Sequence, residues 1–143
     1  MERLLIALVI VIVALAVAAV LRRRAPDAPT QGSVYALPQQ LDRDDFDHRK
    51  TPWLAVVFSS DTCDACAEAM VKAETLVTDD VALQEVSWQA RPDLHERYAI
   101  DTVPAMVIAG ADGAVEAAFL GPPPTGELWA AMDAARSRRD GGA

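Results

Sequence analysis

Apolar residues are distributed in two different ways along this chain of 143 residues. One uninterrupted run extends from Leu4 to Leu21 and contains 18 apolar residues with no charge, glycine, proline or hydroxyl group. At roughly 1.5 Å per residue, a helix of that length spans about 27 Å, which is close to the hydrocarbon thickness of a bilayer. The run therefore predicts one N-terminal transmembrane helix that anchors the chain, at residues 4–21.

The charges beside this run bear on its role and its orientation. A cleaved secretory signal would carry its basic residues before the apolar run, whereas Arg22, Arg23 and Arg24 follow it, so an uncleaved anchor is the stronger interpretation. These three arginines outweigh Arg3 and the amino terminus, and the positive-inside rule then predicts a single-pass protein with its domain in the cytoplasm. An extracytoplasmic domain is the alternative.

Beyond the anchor, short apolar segments alternate with amphipathic ones. Residues 22–32 predict a basic flank and linker, residues 33–138 a folded domain, and residues 139–143 a frayed tail. Within the domain the pattern predicts strands at 34–37, 53–58, 81–88, 105–109 and 115–120, and helices at 41–47, 63–77, 92–98 and from Thr125 onward, with Thr125 as the cap. The order βαβαβαββα predicts an α/β fold in three layers, a mixed central sheet with helices on both faces.

Charge follows the same division of the chain. Residues 1–24 carry one acid and four arginines, a net charge of +3, whereas residues 25–143 carry 20 acids and 9 bases, a net charge of −11. A nucleic-acid-binding domain needs a basic surface, so the composition excludes that class of partner. Two cysteines are too few for a disulfide scaffold, and we expect a monomeric domain with an ordinary hydrophobic core.

Both cysteines lie where a predicted strand gives way to a predicted helix. Cys63 opens the helix, where free N–H groups and the helix dipole favour a thiolate, and Cys66 follows three residues later, within reach for a disulfide. A Cys63 thiolate can attack a substrate disulfide, and Cys66 can then resolve the mixed disulfide. The spacing C-x-x-C beside a βαβ pattern thus predicts thiol–disulfide chemistry.

Together with later residues, this motif resembles the thioredoxin family over roughly residues 33–138. The resemblance is carried by the apolar strand that leads into Cys63-Asp64-Ala65-Cys66, by the stretch from Arg97 to Pro104 before a strand, and by Gly121 after a hairpin. It implies a thioredoxin-like fold, a cis peptide bond at Pro104 and a Val103 backbone that pairs with a substrate peptide. It also implies protein thiols or disulfides and a dithiol reductant as partners, with no cofactor beyond the cysteine pair.

The chain departs from the family pattern at the residues that would tune the site. Asp64-Ala65 stands where Gly-Pro is often found, Thr62 where a tryptophan often precedes the first cysteine, and Val57 where a buried acid often lies. Without that acid, the proton relay to Cys66 lacks its usual group, and Glu85 on the next strand is a candidate replacement.

The carboxylates of Asp61 and Asp64 oppose a thiolate at Cys63. Each repulsion is of order 0.5–1 kcal/mol in solvent, which nearly cancels the contribution of the helix start. We therefore expect the pKa of the Cys63 thiol to be close to that of a free thiol, and the pair to work on the reducing side.

Other interpretations of these residues remain open. Zinc would need His48 and His95 to complete the cysteine pair, and neither has ligand spacing, so we predict no metal site and expect His95 on a helix surface. Trp53, Trp88 and Trp129 are expected in the core. The main alternatives for function are a thioredoxin-fold interaction or redox-sensing module without turnover, and an extracytoplasmic thiol reductant for one dedicated partner.

Overall fold

The computed structural model describes residue 1, residues 11–14 and residues 36–142 of the chain. Residues 11–14 are helical and exposed. Most of the predicted anchor, residues 4–10 and 15–21, and the predicted flank and linker at residues 22–32 lie outside the described residues. Within the described part, no helix is long and apolar enough to cross a bilayer.

Four strands and three helices make up the domain, preceded by a 3₁₀ turn at Arg43–Asp45. In chain order they are β1 (Trp53–Ser59), α1 (Asp64–Glu74), β2 (Val81–Ser87), α2 (Pro92–Arg97), β3 (Ala105–Gly110), β4 (Val115–Leu120) and α3 (Thr125–Asp140). The strand order in the sheet is β2-β1-β3-β4, with β1 parallel to β2 and the other pairs antiparallel. The predicted mixed sheet is confirmed.

Strand β1 is central, and all seven of its residues are buried. Such an apolar run, short and rich in β-branched and aromatic residues, is typical of a strand covered on both faces. Its alternating side chains enter two hydrophobic cores. Leu54, Val56 and Phe58 pack with Leu94 and Tyr98 on the α2 side, whereas the opposite face of β1 packs on α1 and α3 through Ala55, Val57, Ala69, Ala73, Leu128 and Met132. Helices therefore cover both faces, as predicted.

The first predicted strand–helix unit is the main correction. Residues 34 and 35 lie outside the described part, and residues 36 and 37 form no strand; the chain instead makes an isolated bridge between Gln40 and Ala114. The predicted helix at 41–47 is only the 3₁₀ turn, in which the Asp42 carboxylate accepts a hydrogen bond from the Asp44 N–H. The cause is tertiary: Leu41 and Phe46, each 1% exposed, pack into the core and fix a turn too short for an amphipathic helix.

Three predicted helix details also differ. Helix α1 ends at Glu74, and Val77, expected on its buried stripe, is 50% exposed. Thr125 is the first residue of α3 and not its cap; Pro124 takes that position and makes no side-chain capping bond. The helix continues to Asp140, so the expected tail begins two residues later, because Arg139 pairs with Asp112 and Glu116.

The tryptophans divide between core and surface. Trp53 is 7% exposed and belongs to the core, as predicted. Trp129 is 47% exposed, which corrects the prediction, because the buried stripe of α3 runs through Leu128, Met132 and Ala135 and leaves the residue after Leu128 outside it.

Arg43 fastens the segment before β1 to the sheet. Its side chain is buried, and its guanidinium donates to the carbonyl of Gly110 at 2.7 Å, to that of Thr51 at 2.9 Å and to that of His48. A buried carbonyl that loses its donor carries the full cost of desolvation. This one side chain therefore joins the 3₁₀ turn, the approach to β1 and the end of β3.

We expect Arg43→Met to lower the free energy of unfolding by about 2–4 kcal/mol, because three carbonyls lose a charged donor while an unbranched stem still fills the space of the Arg43 methylenes. Arg49→Met is the matched control: Arg49 is exposed, and among residues 36–142 its one ion pair is with exposed Asp44 at 3.4 Å, so its effect should stay below about 0.5 kcal/mol. Urea unfolding of the detergent-solubilised chain, followed by tryptophan fluorescence, measures both. Equal effects would show that Arg43 is not a structural anchor.

Candidate functional site

The two cysteines form a disulfide at the start of α1. The Cys63–Cys66 bond has an S–S length of 2.07 Å and a Cα–Cα distance of 5.4 Å. Cys63 occupies the N-cap position of the helix and is half-buried, whereas Cys66, in the first turn, is 4% exposed. Cys63 therefore faces outward, whereas Cys66 faces the core.

The loop between β1 and α1 places this pair. The Cys63 N–H donates to the Ser60 carbonyl at 3.0 Å, and the Cys66 N–H to the Cys63 carbonyl at 3.2 Å, which turns the chain into the helix. Gln89 holds the loop from outside: its amide nitrogen donates to Ser60 Oγ at 3.2 Å, and its amide oxygen accepts from the Asp61 N–H at 3.0 Å.

Gln89 is a positioning residue that the sequence analysis missed. It lies two residues after the end of β2, and because β1 and β2 are parallel, their carboxyl ends meet at the same sheet edge. No motif marks such a residue. The parallel pairing, once predicted, is the only signal that could have pointed to the segment after β2.

The peptide bond between Val103 and Pro104 is cis, which confirms the prediction. The next residue, Ala105, pairs with Phe58 near the end of β1, so the cis bond and the loop that carries Cys63 lie at the same edge of the sheet. The carbonyl of Pro104 accepts a hydrogen bond from the Gly121 N–H at 2.8 Å. Val103 is half-buried and packs against the core on the α2 side.

The polar residues around Cys63 lie at the surface. Asp61, Thr62 and Asp64 are all exposed, and within the described residues neither carboxylate forms a salt bridge. Thr62 belongs to the loop structure, since its N–H donates to Ser60 Oγ at 3.4 Å and its hydroxyl lies 3.2 Å from the same oxygen. Two unpaired negative charges therefore flank the outward-facing cysteine.

Glu85 lies beside Val57 but not in the core. The two residues are register partners across β1 and β2, so they share the sheet face that α1 covers. Val57 is completely buried, whereas Glu85 is exposed and accepts a hydrogen bond from the hydroxyl of buried Ser59 at 2.6 Å. The structure thus brings an acid to the strand position next to Val57. That Glu85 accepts the proton of Cys66 remains a prediction.

Two aromatic residues beside the site differ from their predicted roles. His95, expected on a helix surface, is 2% exposed and lies between the rings of Phe58 and Trp88, with centroid distances of 5.2 and 5.3 Å. Its Nε2 contacts the Val86 carbonyl at 2.8 Å. Trp88, expected in the core, is 44% exposed, because β2 ends at Ser87 and releases the next side chain.

Metal ligation has no structural basis among the described residues, where no cluster of three His, Cys, Asp or Glu side chains could hold an ion. Arg43 holds the carbonyl of His48 in the segment before β1, whereas Cys63 follows the other end of that strand. His95 is bonded to the sheet. The two histidines and the cysteine pair therefore do not form one cluster among the described residues.

Many solved structures are similar to this domain, among them the following three. They are a malarial protein (14% identity, 59% of this chain and 98% of that chain, TM-score 0.54), oxidised mitochondrial thioredoxin 3 from Saccharomyces cerevisiae (21% identity, 59% and 81%, TM-score 0.51) and a mutant thioredoxin from Halobacterium salinarum (23% identity, 64% and 82%, TM-score 0.52). No protein-family model and no curated protein sequence matches the chain.

Identities of 14–23% establish architecture and not activity. The architecture agrees with what the chain itself displays, since the strand order β2-β1-β3-β4, the disulfide at the start of α1 and the cis bond before β3 are all in place. The chain is a protein of the thioredoxin fold.

Proposed function

We propose that this chain is a membrane-tethered thiol–disulfide oxidoreductase in which Cys63 is the nucleophile and Cys66 the resolving cysteine. The observation that carries the proposal is the unequal exposure of the two linked residues: Cys63 is half-buried and Cys66 is 4% exposed. A substrate sulfur can approach the outer residue, while the inner residue is placed to react with its partner in the helix turn.

The reaction transfers two electrons to a substrate disulfide. The Cys63 thiolate attacks one substrate sulfur and forms a mixed disulfide with it. The substrate S–S bond breaks in this step, and the other substrate sulfur leaves as a thiolate. Cys66 then loses its proton and attacks the Cys63 sulfur, which releases the second substrate thiolate and forms the Cys63–Cys66 disulfide. Protons from Cys66 and solvent neutralise the released thiolates. A dithiol reductant restores the pair by the same exchange in reverse.

Protein disulfides are the substrate class that the surroundings of the pair favour. The cis bond at Pro104 lies at the same sheet edge as the loop that carries Cys63, and half-buried Val103 precedes it. An extended peptide that pairs with the Val103 backbone would hold a target cysteine near Cys63. Val103 and Pro104 are therefore the proposed substrate-binding residues.

The local charges favour a cysteine pair that acts as a reductant of its substrates. Free N–H groups at the start of α1 stabilise a thiolate at Cys63, while the exposed carboxylates of Asp61 and Asp64 repel it. Cysteine pairs that act as oxidants depend on a strongly stabilised thiolate in their reduced form. A pair whose thiolate is only weakly stabilised therefore donates electrons more readily.

The tether and its sidedness rest on the sequence. The apolar run from Leu4 to Leu21 has the length of a membrane span, and the three arginines after it favour a cytoplasmic domain. The extracytoplasmic alternative would make the chain a thiol reductant for a dedicated partner on the other side of the membrane.

A second candidate is an interaction or redox-sensing module that does not turn over. Val57 favours it, because this residue is completely buried and leaves the core beneath α1 without an acid to accept the Cys66 proton. The two candidates differ in whether mixed disulfides form and resolve.

We expect the purified full-length chain in detergent to reduce insulin disulfides with dithiothreitol as donor. Cys63→Ser should abolish reduction and form no mixed disulfide, because the nucleophile is lost. Cys66→Ser should also abolish turnover but trap a mixed disulfide through Cys63, visible on a non-reducing gel. Equally slow reduction by all three proteins, with nothing trapped by Cys66→Ser, would favour the sensing module.

Removing either carboxylate beside Cys63 should make the pair more oxidising. Asp61→Asn and Asp64→Asn each relieve a repulsion of about 0.5–1 kcal/mol on the reduced form, which raises the reduction potential by about 10–20 mV at low salt. Asp79→Asn, at the exposed turn before β2, makes the same change in net charge at the far end of the sheet and should have no effect. Equilibration with glutathione buffers measures the potentials; unchanged values for the first two variants would contradict the charge argument.

Sidedness can be read from the two cysteines, since the chain has no others. After brief reduction of intact cells with a permeable reductant, a membrane-impermeant maleimide should leave the chain unlabelled until the membrane is permeabilised. Labelling of intact cells would place the domain outside the cytoplasm and support the extracytoplasmic alternative.

A further inference from the structure

A cavity of about 330 Å³ lies beside the loop that leads to the cysteine pair, and neither cysteine lines it. Six residues line it: Ser60, Trp88, His95, Ile100, Asp101 and Val103. Ser60 begins the loop that leads to Cys63, and Val103 precedes the cis bond. The cavity therefore joins the two segments between which a bound substrate peptide would lie.

We propose that this cavity is a specificity subsite for a basic side chain, lysine or arginine, close to the cysteine of a target disulfide. The inference rests on the proposed function and names its substrate class: disulfides in basic, extended peptide segments. Three features of the cavity support it: an apolar wall, the imidazole of His95 and the negative charge at the rim.

The wall is apolar and preformed. Trp88 is 44% exposed, an unusual state for so large a hydrophobic side chain, and its ring is held at 86° to that of buried His95. Ile100 and half-buried Val103 complete the wall. The aliphatic stem of a lysine or arginine can lie along such a surface, and its charged end can lie over the indole face.

His95 supplies an acceptor without a donor. The side chain belongs to a residue that is 98% buried, and Nε2 of its ring lies in hydrogen-bond contact with the Val86 carbonyl. Because a carbonyl can only accept, Nε2 carries the hydrogen. In the neutral ring Nδ1 is then an acceptor, and nothing in residues 36–142 donates to it. An N–H group of a ligand in the cavity can donate to this acceptor, which an aliphatic side chain cannot do.

The rim is negative. Asp101 is exposed and forms no salt bridge within the part of the chain that the structure describes, and the same holds for Asp61 and Asp64 beside Cys63. The arginine nearest to Asp101 in sequence, Arg97, is already paired with Asp42 and Asp45, each at 3.2 Å. An acidic substrate segment would be repelled here, whereas a basic one supplies the missing counter-charge and is steered to the site.

The experiment compares disulfide-bonded peptides that differ at one residue. Arginine, leucine or glutamate is placed in turn at the two positions on either side of the cysteine, and kcat/KM for reduction is measured with the full-length chain in detergent. At one position at least, the arginine peptide should react about fivefold faster than the leucine peptide, with glutamate slowest, and added salt should narrow the difference.

Variants assign the preference to the cavity. Asp101→Asn and Trp88→Ala should each bring the arginine peptide down towards the rate of the leucine peptide. Asp133→Asn, an exposed acid on α3 away from the cavity, changes net charge equally and should keep the preference. A preference for leucine, or equal losses in the two aspartate variants, would overturn the subsite while leaving the oxidoreductase in place.

A second measurement separates failure of the subsite from failure of the proposed function. Peptides whose cysteine is replaced by serine cannot react, and their binding is followed through the NMR signal of the Trp88 indole N–H, assigned with Trp88→Ala. The arginine peptide should shift that signal at a lower concentration than the leucine peptide. If no peptide is reduced but this shift occurs, the oxidoreductase proposal fails and the basic subsite stands; if the arginine peptide produces no shift, the subsite is overturned.

Discussion

The burial of β1 on both faces is the constraint on which the rest of this structure depends. All seven residues from Trp53 to Ser59 are buried, and alternate side chains enter different cores. A slip of one residue would exchange every side chain between the two cores, so the register with both neighbouring strands is strongly specified. The point where β1 ends, and with it the start of the loop to Cys63, is fixed by packing far from the sulfur atoms.

The site is an outcome of this topology. Because β2 runs parallel to β1 and β3 runs antiparallel, the carboxyl ends of β1 and β2 and the amino end of β3 share one edge of the sheet. Each contributes one element there: the loop to Cys63, the Trp88–Gln89 pair and the cis bond at Pro104. Residues that are 41 positions apart in sequence, Cys63 and Pro104, thus lie at one edge without any local signal that links them.

Sequence patterns predicted the parts that local chemistry controls. The apolar runs located all four strands of the sheet. The cis bond at Pro104 was implied by the family resemblance and not by the local pattern. The patterns failed where tertiary contacts decide. Helix α2 has six residues, too few for a stripe to show, so the burial of His95 against Phe58 was invisible. Trp88 was predicted in the core because the alternation of apolar and polar residues extends the predicted strand one residue beyond the end of β2. Both residues line the cavity of the proposed subsite, and sequence-based expectations are known to fail most often at such sites.

The charged groups of the site lie at the surface, because Val57 stands at the position where the family resemblance implies a buried acid. The core beneath α1 is apolar, and the carboxylates around the pair, those of Asp61, Asp64, Asp101 and Glu85, are all exposed. Surface charges act through solvent and are weakened by salt, whereas a buried charge would act through the protein and be screened far less. In this chain the core sets where the cysteines lie, and the charges near them lie at the surface. In the proposed function, the same carboxylates would oppose the Cys63 thiolate and attract basic segments to it, so reducing character and substrate preference would have one physical source.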